Sequence, residues 1–103
     1  MKNWSLYLIR TRDRALYAGI TTDVPRRFSE HVSARAKGAK YLRAKSPFEL
    51  VYHTKIGSRA LALKAEYAVK KLPKTKKEAL IAENPECPLL LEILGLSHRS
   101  EST

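Results

Sequence analysis

The chain has 103 residues, 44% of them hydrophobic, with 20 lysines and arginines against 10 acidic residues, giving a net charge of +10. The length suits one domain, the hydrophobic fraction argues against disorder, and the basic excess favours a polyanionic partner such as nucleic acid. A single cysteine, Cys87, excludes an internal disulfide and a cysteine metal cage.

Two strands are predicted near the start of the chain. Trp4–Arg10 and Leu16–Ile20 are rich in aromatic and branched residues. The connection between them has no glycine, so we expect a loop longer than a tight two-residue hairpin. Pairing Thr11 with Ala15 gives a loop of three residues.

This pairing decides where two tyrosines lie. With the three-residue loop, Tyr7 faces Gly19 and Tyr17 faces Ile9, so both tyrosines share one face of the sheet. A loop of even length would place them on opposite faces.

A helix is predicted next, with Asp23 as its N-cap and Pro25 in its first turn. Apolar residues repeat every four positions: Val24, Phe28 and Val32. Arg27 and His31 are also four residues apart, so they lie one turn from each other beside that stripe.

The remaining elements follow a basic segment, Ser33–Pro47, which predicts a loop with a short helix around Ala39–Ala44. Phe48–Thr54 is the third predicted strand. Ser58 caps a helix over Arg59–Leu72, and Pro73 ends it. The predicted buried side of that helix comprises Leu61, Ala65, Ala68, Val69 and Leu72.

Two short helices complete the prediction. Thr75–Glu78 reads as a capping box that begins a helix reaching about Glu83, and Pro88–Leu94 is a last helix closed by Gly95. The order indicates a small α/β (α+β) domain over residues 1–96, with a three-stranded, mainly antiparallel sheet flanked by helices. Residues 97–103 are a polar tail.

No segment has the pattern of a signal peptide or is apolar for long enough to span a bilayer. We therefore expect a cytoplasmic protein with no membrane partner. Glycine-rich phosphate loops and zinc-protease or serine-hydrolase motifs are also missing from the sequence.

A resemblance to a known family rests on several segments in order. "SLYLI", "LYAGIT" and "DVPRRFSEH" resemble the GIY-YIG nuclease domain, in which two tyrosine-bearing strands precede a helix with an essential arginine. "GAKYLRAK", "GSRALALKAEYAVKKL" and "KTKKEAL" resemble its small stand-alone bacterial members of the YhbQ type. The first motif departs by reading Ser-Leu-Tyr, and the asparagine that many members carry after the glutamate has no convincing counterpart.

The resemblance implies a GIY-YIG-like fold and a set of catalytic residues: Tyr7, Tyr17, Arg27, His31 and Glu66. Glu66 matches the glutamate that binds the metal, and we expect it to hold one Mg²⁺ or Mn²⁺ ion. Arg27 would bind phosphate oxygens as charge builds in the transition state. Tyr7 is assigned as general base, His31 as its proton acceptor and Tyr17 as the group that orients water or phosphate, although the two tyrosines could exchange roles.

Nucleic-acid contacts are predicted for Gly19, which would allow close approach of a phosphate, and for a rim of basic residues: Arg26, Arg35, Lys37, Lys40, Arg43, Lys45, Lys70, Lys71 and Lys74. Taken singly, each residue has an ordinary explanation, such as strand packing for the tyrosines or a helical ion pair between Glu66 and Lys70. Structural roles are expected for Trp4, His53, Tyr67 and His98.

The sequence thus predicts a metal-dependent DNA endonuclease, monomeric, acting in repair or recombination or on invading DNA. Branched, nicked or single-stranded DNA is the expected substrate, since a domain this small has no added module for reading base sequence. Two alternatives stay open. One is a non-catalytic nucleic-acid-binding module, and the other is a nuclease subunit that needs a protein partner, docked through "PLLLEILGL".

Overall fold

Three strands and four helices form within residues 3–36 and 48–96, the ranges that this computed structural model describes. The strands are β1 (Trp4–Arg10), β2 (Leu16–Thr21) and β3 (Glu49–Gly57). The helices are α1 (Val24–Ala36), α2 (Arg59–Lys70), α3 (Lys74–Glu83) and α4 (Cys87–Ile93). The short helix predicted around Ala39–Ala44 lies outside the described residues.

The strands form one sheet in the order β2-β1-β3, and both pairings are antiparallel. This confirms the predicted fold class. The β1–β2 loop has the expected three residues, because the N–H of Thr11 donates to the carbonyl of Ala15 at 3.0 Å. Arg14 makes the turn without glycine by adopting a φ of 66°.

The predicted register is confirmed. Tyr7 pairs with Gly19 and Ile9 pairs with Tyr17, so both tyrosines lie on the same face of the sheet. On the other side of β1, Tyr7 is opposite His53, and two irregularities in the β1–β3 pairing absorb extra residues of β3.

The core lies against the other face of β1. Leu6 and Leu8 are fully buried there, and the cluster around them comes from β3 and the last three helices: Tyr52, Ala65, Val69, Leu80 and Leu90. Tyr7 and Ile9 alternate with these leucines and are also buried. As the middle strand, β1 is therefore covered on both faces.

Side chains cap the two longest helices as predicted. Oδ1 of Asp23 accepts from the N–H of Arg26 at 3.1 Å, and Oγ of Ser58 accepts from the N–H of Leu61 at 3.1 Å. Ser58 is the N-cap of α2. The buried residues of this helix are Ala62, Ala65 and Val69. The prediction is confirmed for Ala65 and Val69. It missed Ala62, and the other three predicted residues are only half-buried: Leu61, Ala68 and Leu72.

The predicted capping box at Thr75–Glu78 is wrong. Helix α3 begins at Lys74 with Pro73 as its N-cap, and the Pro73 carbonyl accepts from the N–H groups of Lys76 and Lys77. Glu78 instead forms an ion pair with Arg10 at the end of β1. A tertiary contact thus takes the carboxylate that the local pattern assigned to a cap. Within the described ranges, no helix is long and apolar enough to cross a membrane.

Candidate active site

A cleft of about 410 Å³ opens on the face of the sheet that carries the two tyrosines. Six residues that the sequence singles out line it: Tyr7, Tyr17, Gly19, Arg27, His31 and Glu66. The rest of its wall is apolar or carries a hydroxyl: Ile9, Thr11, Ala18, Ile20 and Phe48. Four elements therefore bring distant parts of the chain to one concave surface.

The antiparallel register explains how the floor of the cleft forms. Tyr7 lies across the backbone of its strand partner Gly19. A Cβ added to Gly19 would stand 2.5 Å from Cζ of the Tyr7 ring. Only glycine leaves room for the phenol in this position. Gly19 is buried beneath that ring, so its lack of a side chain makes space for Tyr7. The close approach of a phosphate to Gly19 stays a prediction.

The hydroxyl of Tyr7 lies between two side chains of α1. It is 3.4 Å from Nε2 of His31, and the two rings meet edge to face with centroids 6.1 Å apart. Arg27 lines the same cleft, and its interaction with Tyr7, followed by that with Glu30, holds the pKa of Arg27 above its ordinary value. Because Arg27 and His31 are four residues apart on α1, both side chains lie beside the phenol of Tyr7.

Burial, followed by the charge of Arg27, lowers the pKa of His31 below its ordinary value of 6.5. The imidazole is therefore neutral at pH 7, and its Nε2 can accept a proton from Tyr7 when the ring proton is on Nδ1. Phe48 packs edge to face against His31 with centroids 6.4 Å apart, and it lines the cleft. Sequence reasoning read Phe48 only as the start of a strand, because nothing local shows which ring it contacts.

Arg27 is also bound to an acid. Its Nη1 lies 3.1 Å from Oε1 of Glu30, and both side chains are exposed. Exposed ion pairs of this kind contribute about 0.2–1 kcal/mol. Arg27 can therefore exchange Glu30 for a phosphate at little cost.

Glu66 supplies the carboxylate of the cleft. It follows the buried Ala65 on α2, and its side chain is 19% exposed while Oε2 lies 3.3 Å from Nζ of Lys70. Residues 3–36 and 48–96 contain no cluster of three or more histidine, cysteine or acidic side chains that could hold a metal ion. One accessible carboxylate beside a phosphate-sized space fits a magnesium-type ion, which keeps several waters and takes phosphate oxygens as ligands.

Tyr17 stands at the mouth of the cleft with 47% of its surface exposed, whereas Tyr7 is only 6% exposed. The pair is therefore asymmetric. Tyr7 is fixed within a hydrogen-bonded group, and Tyr17 is open to a ligand that enters from solvent.

The predicted basic rim is described only in part. Lys37, Lys40, Arg43 and Lys45 lie outside the described residues, and of Arg35 only its place in α1 is described. Arg26 approaches Asp23 and Glu30, each at 3.9 Å, and Lys70 and Lys71 are exposed at the end of α2. Lys74 donates to the carbonyl of Arg14 and lies 4.0 Å from Glu78, so it ties α3 to the β1–β2 loop.

Comparison with known proteins shows the family of the chain. The family model of the GIY-YIG catalytic domain matches residues 3–79 of the chain. The UPF0213 protein YhbQ of Escherichia coli K12 is 53% identical over 94 residues, 91% of this chain and 92% of that protein, and YhbQ of strain O139:H28 is 52% identical over the same shares. The chain is also similar to the solution NMR structure of the UPF0213 protein BH0048 from Bacillus halodurans, with 42% sequence identity and a TM-score of 0.50. The match covers 78% of this chain and 83% of the BH0048 chain. The chain therefore belongs to the GIY-YIG nuclease family.

Proposed function

We propose that the protein is a metal-dependent endonuclease that hydrolyses phosphodiester bonds in DNA. The observation that supports this most strongly is the meeting of Tyr7, Arg27 and Glu66 in one cleft. These side chains offer a proton acceptor, a phosphate-binding cation and a metal-binding carboxylate, which together meet the needs of phosphodiester hydrolysis.

The proton moves along the contacts of Tyr7. Its hydroxyl gives its proton to Nε2 of neutral His31, and the positive charge of Arg27 stabilises the phenolate that remains. The phenolate takes a proton from water as the water oxygen bonds to phosphorus and the bond to the leaving oxygen breaks. The leaving oxygen takes a proton from solvent at the mouth of the cleft.

Arg27 binds the non-bridging phosphate oxygens through its planar guanidinium, releasing Glu30 as it does so. Glu66 would hold the divalent ion, Mg²⁺ or Mn²⁺, which supplies Lewis-acid charge beside the phosphate when bound. Tyr17, exposed at the mouth, orients the water or the phosphate.

The charge of +10 on 103 residues supports DNA as the partner. We infer that the enzyme acts in the cytoplasm on branched, nicked or single-stranded DNA during repair or recombination. A domain of this size meets DNA through its backbone and its shape more than through base edges.

Purified protein incubated with supercoiled plasmid and with branched DNA, with and without Mg²⁺ or Mn²⁺, tests the proposal. We expect metal-dependent cleavage that falls about 10²–10³-fold in Arg27→Ala and Glu66→Gln. Arg12→Ala and Glu83→Gln are matched controls, since both residues are exposed and neither lines the cleft. Salt-sensitive binding without any cleavage would contradict the proposal and favour a non-catalytic binding module.

A further inference from the structure

Helix α2 carries a second row of side chains beside the row that enters the cleft. Its members follow one another every four residues and are all exposed: Arg59, Leu63, Tyr67 and Lys71. Glu66 stands one position before Tyr67, and Lys70 one position before Lys71. The metal-binding carboxylate therefore lies on the helix face next to this row.

Tyr67 is the most unusual member of the row. The sequence predicts a structural role for it, but 65% of its surface is exposed, the highest fraction among the exposed large hydrophobic residues of the described ranges. Nζ of Lys71 lies 4.8 Å from the centre of its ring and donates to its hydroxyl at 3.3 Å. The lysine thus contacts the ring and leaves it open to solvent.

An exposed aromatic ring held by a cation is the arrangement that single-stranded nucleic acid uses, because bases stack on the ring while the cation binds the backbone. The same pairing recurs at the start of α2, where the Arg59 guanidinium lies 5.5 Å from the Trp4 ring. Lys70 adds a further cation beside Tyr67, and the net charge of +10 favours a polyanionic partner.

We propose that Tyr67 stacks on an unpaired base of the substrate strand whose phosphate lies in the cleft, and that Lys71 binds a phosphate next to that base. This inference rests on the proposed function. A base inside a duplex has both faces covered by its neighbours, so one ring on a helix can stack only on a base that is unpaired or at an end. Tyr67 would thereby give the enzyme its preference for strands with unpaired nucleotides.

Binding measured by fluorescence anisotropy in EDTA, which separates binding from cleavage, tests this. The probes are a labelled single-stranded oligonucleotide, the same strand with abasic sites, and a long blunt-ended duplex in which nearly every base is paired and internal. We expect Tyr67→Leu to weaken single-strand affinity about 5- to 150-fold and to leave duplex affinity within twofold. Tyr67→Phe keeps the ring face, so it should stay near wild type, as should the control Leu63→Ala one turn earlier.

The abasic strand shows whether the ring contacts a base. If it does, removing the base and removing the ring abolish the same contact. Tyr67→Leu should then have the same affinity as wild type for the abasic strand. Equal affinity of wild type and Tyr67→Leu for the intact single strand would overturn the inference. Because no step of this experiment needs hydrolysis, that result is distinct from a failure to cleave DNA.

Discussion

Gly19 controls the position of Tyr7, and Gly19→Ala tests how closely catalysis depends on it. The added Cβ would stand 2.5 Å from Cζ of Tyr7 and nearer still to its hydroxyl. To reach an ordinary contact of 3.4 Å, the ring must withdraw by about 1 Å, away from the place where it meets His31 and Arg27. A displacement of about 1 Å in a catalytic group can lower the rate about 10²-fold.

Single-turnover cleavage of a labelled substrate, with DNA binding measured in parallel, is the assay. We expect Gly19→Ala to cleave about 10²-fold more slowly, to bind DNA within a few-fold of wild type, and to lose about 1–3 kcal/mol of unfolding free energy through overpacking. Gly95→Ala is a matched control, since its φ of 74° makes alanine strained at a site outside the cleft. A wild-type cleavage rate in Gly19→Ala would refute the reasoning that places Tyr7 at the reacting phosphate.

Four further predictions concern the side chains around that site and the core. Because burial and Arg27 lower the pKa of His31, the acid limb of the pH–rate profile should lie below pH 6.5, and an NMR titration of His31 should give the same value. The unfolded chain takes up this proton first, so the folded protein should lose stability as pH falls below 6.5, which denaturant unfolding at pH 5 and pH 7 would measure. Arg27→Lys keeps the charge but loses the planar fork, so DNA affinity should change little while cleavage falls about tenfold or more. In the core, Tyr52, whose pKa burial raises to about 12, donates to the Pro85 carbonyl at 2.7 Å; Tyr52→Phe should lower the unfolding free energy by about 1–3 kcal/mol with cleavage unchanged.

The parts of the fold that depend on local chemistry could be predicted from the sequence. A loop of three residues between Thr11 and Ala15 leaves one register, and that register places both tyrosines on one face. The caps at Asp23 and Ser58 follow from side chains that reach their own helix.

The errors arise where a distant residue competes with a local pattern. Glu78 is in the right position to complete a capping box, but Arg10 from β1 takes its carboxylate. The contact of Phe48 with His31 depends on tertiary approach, so no periodicity in the sequence indicates it.

Tyr67 shows the same limit for function. The sequence predicts a structural role for Tyr67, yet the buried side of α2 runs along Ala62, Ala65 and Val69 and leaves Tyr67 in solvent. The exposed fraction of an aromatic residue on a helix depends on which face of the helix packs against the sheet. Shifting the buried face by one residue changes a residue from exposed to buried.

The most direct test of the central claim is a double-mutant cycle on single-turnover DNA cleavage at saturating Mg²⁺, with wild type, Arg27→Ala, Glu66→Gln and the double variant. If the guanidinium and the carboxylate act on one phosphate, each single change removes most of the rate, and the double variant is scarcely slower than the slower single variant. Strictly multiplicative losses, or cleavage that none of the changes affects, would contradict a shared site in this cleft.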